Sequence, residues 1–360
     1  MKLRIGVVGC GKIADGHIEE IQKHARAEVV AVCDLEPIMA EQLAVRYGIP
    51  QHYSDFDRML EAERLDVVHI TTPPQSHLPL TVKAVAAGCH IYVEKPIALT
   101  FTDARKLIDA VEQGGRKLTI NYWPNFDPPG LRLREMVTSG ALGDVIHIES
   151  YLGYNLAGGF GEALLGDAGH WVHRLPGKLF QNTLDHVLNK ISPFLTDERP
   201  AVQALAYRRR NNLNHDSTDA MLDELRVMIR GEKVSAYATF CSHARPAGHF
   251  VRVYGSRNTV HVDYNSRTAV LESDQTLPSA IGRLVPPFSQ GWRHIRQGLR
   301  NAKMFARNEY HYFSGMNRLI SLFYDSILNG APVPIAYSEI LRVSSLMDEI
   351  FAQVYPGGLQ

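Results

Sequence analysis

The chain has 360 residues, 45% of them hydrophobic and 21% charged, which suits two globular domains and argues against wholesale disorder. Its 38 basic residues balance its 38 acidic ones, so no whole-molecule field gathers nucleic acid or an anionic membrane. No run of roughly 18 apolar residues occurs to span a bilayer, and the four isolated cysteines (Cys10, Cys33, Cys89, Cys241) include no Cys-x-x-Cys pair, against a disulfide framework or a cysteine zinc site.

Met1-Lys2-Leu3-Arg4 leads into a glycine loop without an apolar signal core, so a reducing cytoplasm is the expected compartment. Strand signals follow at Leu3–Val8, Val29–Cys33, Val67–Thr71, His90–Val93 and Lys117–Asn121. Helical patterns lie between them at Ile38–Tyr47, Pro79–Ala87 and Thr102–Gln113. This alternation predicts an α/β fold with a Rossmann-type, doubly wound parallel sheet over residues 1–121. The pattern breaks at the prolines 124, 128 and 129. Residues 122–360 then read as an α+β domain with an open, mainly antiparallel sheet. Its helix signal is Leu131–Ser139. Its strand signals are Val145–Tyr151, Ala201–Tyr207, Leu222–Ile229, Val234–Cys241, Phe250–Tyr254 and Thr259–Asp263. Two terminal helical patterns, 317–328 and 338–354, complete the chain and are free to pack back on the first domain.

Gly9-Cys10-Gly11-Lys12-Ile13-Ala14 is G-x-G-x-x-A directly after a buried strand. Gly9 permits the turn, Gly11 lets backbone approach a pyrophosphate, and Ala14 allows the next helix to pack closely. Gly9, Gly11, Lys12 and Ile13 are the expected pyrophosphate contacts at a helix N-terminus. Asp34 ends the next strand about 20 residues on. A carboxylate there binds both ribose hydroxyls and repels a 2′-phosphate, favouring NAD over NADP. Thr71-Thr72-Pro73-Pro74-Gln75-Ser76-His77 and Glu94-Lys95-Pro96 follow later strands at the carboxyl edge, where doubly wound sheets bind ligands.

These segments, in this order, resemble the Gfo/Idh/MocA oxidoreductases: Gly9–Ala14, Asp34, Thr72-Pro73 with His77, Glu94-Lys95-Pro96, and Gly140-Ala141-Leu142-Gly143 before a strand. The resemblance implies NAD(P)-dependent chemistry on sugars, polyols or their derivatives, and a second-domain sheet that makes homodimer or homotetramer contacts. It places Thr72, Pro73, His77, Glu94 and Lys95 around the cofactor, with Lys95 also touching the reacting hydroxyl. Tyr122 and His170 are further candidates for substrate contact.

Such proteins carry an Asp and a His four residues apart on a second-domain helix. The counterpart here is Asn182 and His186, with Asn in place of Asp. Phe180, Leu184, Val187, Leu188 and Ile191 recur at helical spacing and should face the core, which puts Asn182, His186 and Asn189 on another face. An amide orients an imidazole without contributing charge. The expected assignment is therefore Lys95 on the reacting oxygen and His186, positioned by Asn182, exchanging the hydroxyl proton. A rival pairing uses Gly158-Gly159 with Asp167 and His170, only three residues apart. Two alternative functions keep the same cofactor: a non-catalytic NAD-binding sensor or regulatory subunit, and a redox-assisted glycoside-cleaving enzyme that recycles NAD. His170, His173 and His186 match no metal-binding spacing, so no metal is expected.

Two basic stretches remain. Tyr207-Arg208-Arg209-Arg210-Asn211-Asn212 reads as a solvated loop, with binding of an anionic substrate such as a nucleotide sugar as the alternative. Arg293, Arg296, Arg300, Lys303 and Arg307, interleaved with Trp292, Ile295, Leu299 and Phe305, form a basic amphipathic pattern. It is expected to pack in a subunit interface or over the active site rather than on a membrane surface.

Overall fold

The computed structural model describes the chain apart from residues 1, 157–160, 162–163, 165–166, 168, 198, 210–220, 274–277, 308 and 356–360. The chain divides into two compact units, Met1–Trp123 with Gly315–Ser344, and Pro124–Ser314 with Ser345–Gln360.

The first unit is a six-stranded parallel sheet in the order β3-β2-β1-β4-β5-β6. The strands are β1 (Leu3–Val8), β2 (Ala27–Cys33), β3 (Gln51–Tyr53), β4 (Val67–Ile70), β5 (His90–Val93) and β6 (Leu118–Ile120). The helices alternating with them are α1 (Lys12–Gln22), α2 (Pro37–Tyr47), α3 (Phe56–Ala62), α4 (His77–Ala86) and α5 (Phe101–Gln113). This order reverses between β1 and β4, which opens a crevice at their carboxyl ends. The central strands are buried on both faces, so they read as continuous β-branched runs: Ile5, Val7, Val32, Val67, Val68 and Ile91 are sealed from solvent. The edge strand β3 is short and polar, which is why it carries no sequence signal. Asp55 caps α3 by accepting from the Asp57 and Arg58 amides, and Thr100 caps α5 through the Asp103 amide.

The second unit holds a seven-stranded sheet in the order β13-β12-β11-β7-β10-β9-β8. Its strands are β7 (Val145–Gly153), β8 (Ala201–Tyr207), β9 (Glu224–Arg230), β10 (Ser235–Cys241), β11 (His249–Gly255), β12 (Asn258–Asp263) and β13 (Thr268–Ser273). All neighbours run antiparallel except β7 and β10, which are parallel. The fold is thus the α/β plus open, mainly antiparallel arrangement that the sequence implies. The inner face carries Ile148, Val227, Ile229, Ala236, Phe240, Val251 and Val260, all buried. Against this face lie α6 (Pro128–Thr138), α7 (Lys178–Thr183) and α8 (Asp185–Leu188). Then come α9 (Ser279–Ala306), in the second unit, α10 (Ser314–Asn329), which from Gly315 belongs to the first, and α11 (Tyr337–Val354), which belongs to the first unit up to Ser344 and to the second beyond it.

The single helix expected over 180–191 is instead two short ones joined at Leu184. Phe180, Leu184, Val187, Leu188 and Ile191 are buried as expected. Asn182 and His186 remain the two half-exposed positions between Leu179 and Lys190. Asn189 does not share their face: it is buried, with its Nδ2 3.5 Å from Asp185 Oδ1.

Candidate functional site

In the first unit the glycine loop is fixed from both sides. The Gly9 amide donates to Cys33 O (2.8 Å), and Thr71 Oγ1 donates to Gly9 O (2.6 Å). Gly9 has φ +95°, and a Cβ there would lie 2.7 Å from Thr72 Cγ2 and 2.8 Å from Thr72 N, so no side chain fits. Gly11 is the N-cap of α1 and has no side-chain cap; a Cβ built on it meets nothing within 4 Å. The first turn of α1 therefore faces open space with uncapped backbone N–H groups, the arrangement that receives a phosphate.

Asp34 stands beside this loop. Its Oδ2 accepts from the Cys10 amide (2.6 Å) and its Oδ1 from the Glu36 amide (3.0 Å). Each carboxylate oxygen can accept more than one hydrogen bond, so both keep capacity for a diol. Residues and space thus fit a dinucleotide with a free ribose diol. Burial, with Asp34 adding to it, pushes the neighbouring Cys10 thiol up to about 12, and it stays neutral. The four cysteines are free and buried.

The Thr72-Pro73 and Glu94-Lys95-Pro96 segments come together at the ends of β4 and β5 through His77. Its Nε2 is 2.8 Å from Thr72 O and its Nδ1 3.1 Å from Ile97 O. Burial lowers the His77 pKa. A neutral ring donates through one nitrogen only, to Thr72 O or to Ile97 O according to its tautomer. His77 is sealed from solvent, so it clamps the two loops and does not itself line the crevice. Thr72 is half-exposed, with its Oγ1 accepting from Ser76 Oγ (2.7 Å), and Pro73 is exposed. Lys12 is exposed and Ile13 half-exposed at the start of α1.

Glu94 also points inward. It is the end of a buried chain of hydrogen bonds that no local motif reveals. Glu94 Oε1 is 2.9 Å from His17 Nε2 and accepts from Asn121 Nδ2 (2.5 Å), while Oε2 accepts from the Lys95 amide (3.1 Å). His17 Nδ1 lies 2.9 Å from His69 Nδ1, and His69 Nε2 lies 2.9 Å from the Tyr324 hydroxyl. Tyr92 closes the other branch by donating to Asn121 Oδ1 (2.8 Å) and stacks on His69 at 4.4 Å. Burial alone raises a carboxyl pKa, but His17, Lys95 and Asn121 outweigh it and hold Glu94 below the usual range. Burial and the adjacent His17 push the His69 pKa well down. With His69 neutral, the chain is satisfied when Tyr324 O–H donates to His69 Nε2, His69 Nδ1–H to His17 Nδ1, and His17 Nε2–H to Glu94. Lys95 itself is half-buried, and the Lys95–Pro96 peptide bond is cis. Tyr122, expected at the substrate, is buried with 3% of its surface exposed.

In the second unit, Asn182 on α7 and His186 on α8 are joined by groups that sequence reasoning missed. Asp185, Lys190, His249 and Tyr264 gather around the same turn. Lys190 Nζ donates to His186 O (2.5 Å) and sits 4.8 Å from the Tyr264 ring centre. Burial drops the Lys190 pKa to about 7 against the raising pull of Asp185 and Asp127. His249 packs on Tyr264 at 4.8 Å and faces the His186 ring at 6.5 Å. Burial, then Lys190, pushes the His249 pKa well below normal. His170 is half-exposed and caps the turn Trp171–Arg174 by accepting from the Val172 amide (3.4 Å). In the rival pairing, Asp167 accepts from the Gly169 amide (2.8 Å), while Gly158 and Gly159 lie outside the described residues, as do Arg210–Asn212 of the first basic run. Among the described residues no group of three or more His, Cys, Asp and Glu could hold a metal ion.

Residues 3–122 match the family described as "Oxidoreductase family, NAD-binding Rossmann fold". Over these residues, a third of the chain, the sequence is similar to the Gfo/Idh/MocA oxidoreductases. It is 36% identical to D-glucoside 3-dehydrogenase of Escherichia coli over 144 residues, which cover 40% of this chain and 41% of that protein. Inositol 2-dehydrogenase of Salmonella typhimurium is 28% identical over 151 residues, 41% of this chain and 45% of its own. The alignments thus span less than half the length of these relatives. Solved structures extend the likeness of fold to nearly the whole chain. The WlbA dehydrogenase from Bordetella pertussis, in complex with NADH and UDP-GlcNAcA, gives a TM-score of 0.76 at 17% identity, covering 99% of this chain and 96% of that one. An NAD-binding oxidoreductase from Klebsiella pneumoniae gives 0.78 at 17% identity, with 98% and 97% covered. At these identities the match establishes architecture alone.

Proposed function

We propose that this chain is an NAD-dependent oxidoreductase acting on a secondary hydroxyl, or the corresponding ketone, of a small sugar, polyol or sugar derivative. The observation that carries it is Asp34, held 2.6 Å from the glycine-loop amide of Cys10 with both oxygens able to accept from a ribose diol. The same carboxylate would repel a 2′-phosphate, which favours NAD over NADP. Relatives named as dehydrogenases of glucosides and inositol support a carbohydrate-type substrate.

Bound NAD supplies the hydride acceptor or donor. The chain's own residues handle charge and protons. Lys95, on a backbone amide fixed by Glu94, donates to the reacting oxygen and stabilises its developing negative charge. His186 exchanges the hydroxyl proton, with Asn182 setting the ring without adding charge. No metal is needed in this scheme. The chain acts as a homodimer or homotetramer in the cytoplasm.

The test is NADH formation by purified protein with NAD across sugars, polyols, uronic acids and nucleotide sugars, with NAD binding measured separately. Wild type should form NADH with at least one class. Lys95→Ala and His186→Ala should each lose about 10²–10⁴-fold in kcat while still binding NAD. Wild-type turnover in both variants would overturn the assignment. NAD binding with no NADH would instead favour a sensor, or cofactor recycling if a glycosidic bond is cleaved.

A further inference from the structure

Helix α9 is amphipathic in the opposite sense from a helix that packs on a protein core. Ile281, Leu284, Phe288, Trp292, Ile295 and Leu299 recur every three or four residues and form one stripe along it. Exposure along this stripe runs from 49% at Ile281 to 74% at Phe288. The side turned to its own unit mixes Val285, Pro286 and Met304 with polar residues. Arg293 donates to Leu271 O of β13, and Asn301 Nδ2 donates to Ser266 O (2.9 Å) and Arg267 O (3.3 Å). Ser289 and Gln297 lie half-buried on that same side.

The charge is one-sided as well. Residues 279–307 contain six Arg or Lys and no Asp or Glu, in a chain whose total charge is zero. Arg296, Arg300, Lys303 and Arg307 are all exposed and run along one flank of the apolar stripe at i, i+4, i+7 and i+11. Charges are screened beyond about 8 Å in physiological salt, so this local excess, and not the neutral total, decides what the helix meets.

We propose that α9 is a bilayer-docking helix, lying in the headgroup plane of an anionic membrane with Phe288, Trp292 and Leu299 dipping toward the acyl chains. The chemistry is that of an in-plane helix: a Trp, Phe and Leu face beside a purely basic edge, about 42 Å long at 1.5 Å per residue. Among the described residues no helix is long and apolar enough to cross a membrane, so the contact is peripheral. A basic edge with no acid beside it complements an anionic surface and offers a second copy of the same helix no charge partner.

The full-length protein is tested by co-sedimentation with vesicles of phosphatidylcholine alone and of phosphatidylcholine containing phosphatidylglycerol, at low and high salt. Wild type should pellet with the anionic vesicles, less so in high salt, and remain in solution with the neutral ones. Each basic side chain near an anionic surface is worth about 1 kcal/mol, roughly fivefold in partitioning, so Arg296→Gln with Arg300→Gln should lower it about 30-fold. Phe288→Ser with Trp292→Ser should abolish pelleting, with thermal unfolding close to wild type because both side chains are exposed. Wild type that ignores anionic vesicles, or a Phe288→Ser, Trp292→Ser protein that binds as tightly as wild type, would overturn the proposal. So would an oligomer in vesicle-free buffer that this double variant dissolves, which would make the stripe a subunit contact. None of these outcomes depends on the oxidoreductase reading.

Discussion

Glu94 is placed to act on the proposed chemistry through the backbone of Lys95. Its carboxylate is inside the first unit, yet Oε2 fixes the amide of Lys95 and Oε1 takes the proton end of the His17–His69–Tyr324 chain. Glu94→Gln keeps the shape but replaces an acceptor-only group by one that also donates, so at least one contact to His17, Asn121 or the Lys95 amide must fail. The expected result is kcat lowered about 10²-fold through a displaced Lys95, with the Kd for NAD almost unchanged, read from steady-state kinetics and NAD titration of the same preparation. An unchanged kcat would mean that Lys95 needs no such anchor. The sequence does hold a trace of this network. In Val67-Val68-His69-Ile70, a histidine sits where a central parallel strand is buried on both faces, and such a residue requires a partner. Which partner is invisible: Tyr324 is 255 residues away and meets His69 only after α10 folds beside the sheet. Asp34 was legible for the opposite reason, since its loop, strand and acid lie within one βαβ unit.

At the scale of elements, legibility followed local pattern strength. Strands of β-branched residues and the amphipathic α5 could be read directly, whereas polar, three-residue β3 and the edge strand β13 could not. The break at Leu184 was hidden because the apolar spacing runs unbroken across it. That turn carries Lys190, whose burial sets the next prediction. Its pKa is about 7 in the folded chain against about 10.4 unfolded. Between those values the unfolded chain binds more protons, so this group makes stability rise with pH there, by about 1.4 kcal/mol per unit at most. Below pH 7 both states are charged, and the full cost of the buried cation is present. Lys190→Met gives up the contacts to His186 O and the Tyr264 ring, roughly 1–2 kcal/mol together, but removes that cost. The Tm of Lys190→Met relative to wild type should therefore be most favourable near pH 6 and decline steadily toward pH 10. A difference that stays flat with pH would show that Lys190 is not a buried cation.

For the whole molecule, the parallel half was readable because each crossover is short and its handedness fixed. The second sheet was readable as open and mainly antiparallel, but its strand order was not, because that order brings β7 between β10 and β11, two strands more than eighty residues downstream. Its outer face now bears on assembly. Across the register, Gln203 of β8 pairs with Met228 of β9, Met228 with Tyr237 of β10, and Tyr237 with Glu149 of β7. Leu205, Tyr207, Met228 and Tyr237 are 41–63% exposed on this face, over a cleft of about 700 Å³ lined also by Tyr151 and Phe250. These exposed apolar side chains are set among Gln203, Arg226 and Glu149, the mixed composition of a subunit contact, and a standard interface needs about 800 Å² from each partner. Met228→Lys with Tyr237→Lys places two cations side by side at its centre. Both side chains already reach solvent, so folding and NAD binding should persist. Wild type should sediment as a dimer or larger and the double variant as a monomer. If both sediment alike, subunits assemble elsewhere, and the exposed face of α9 becomes the next surface to substitute.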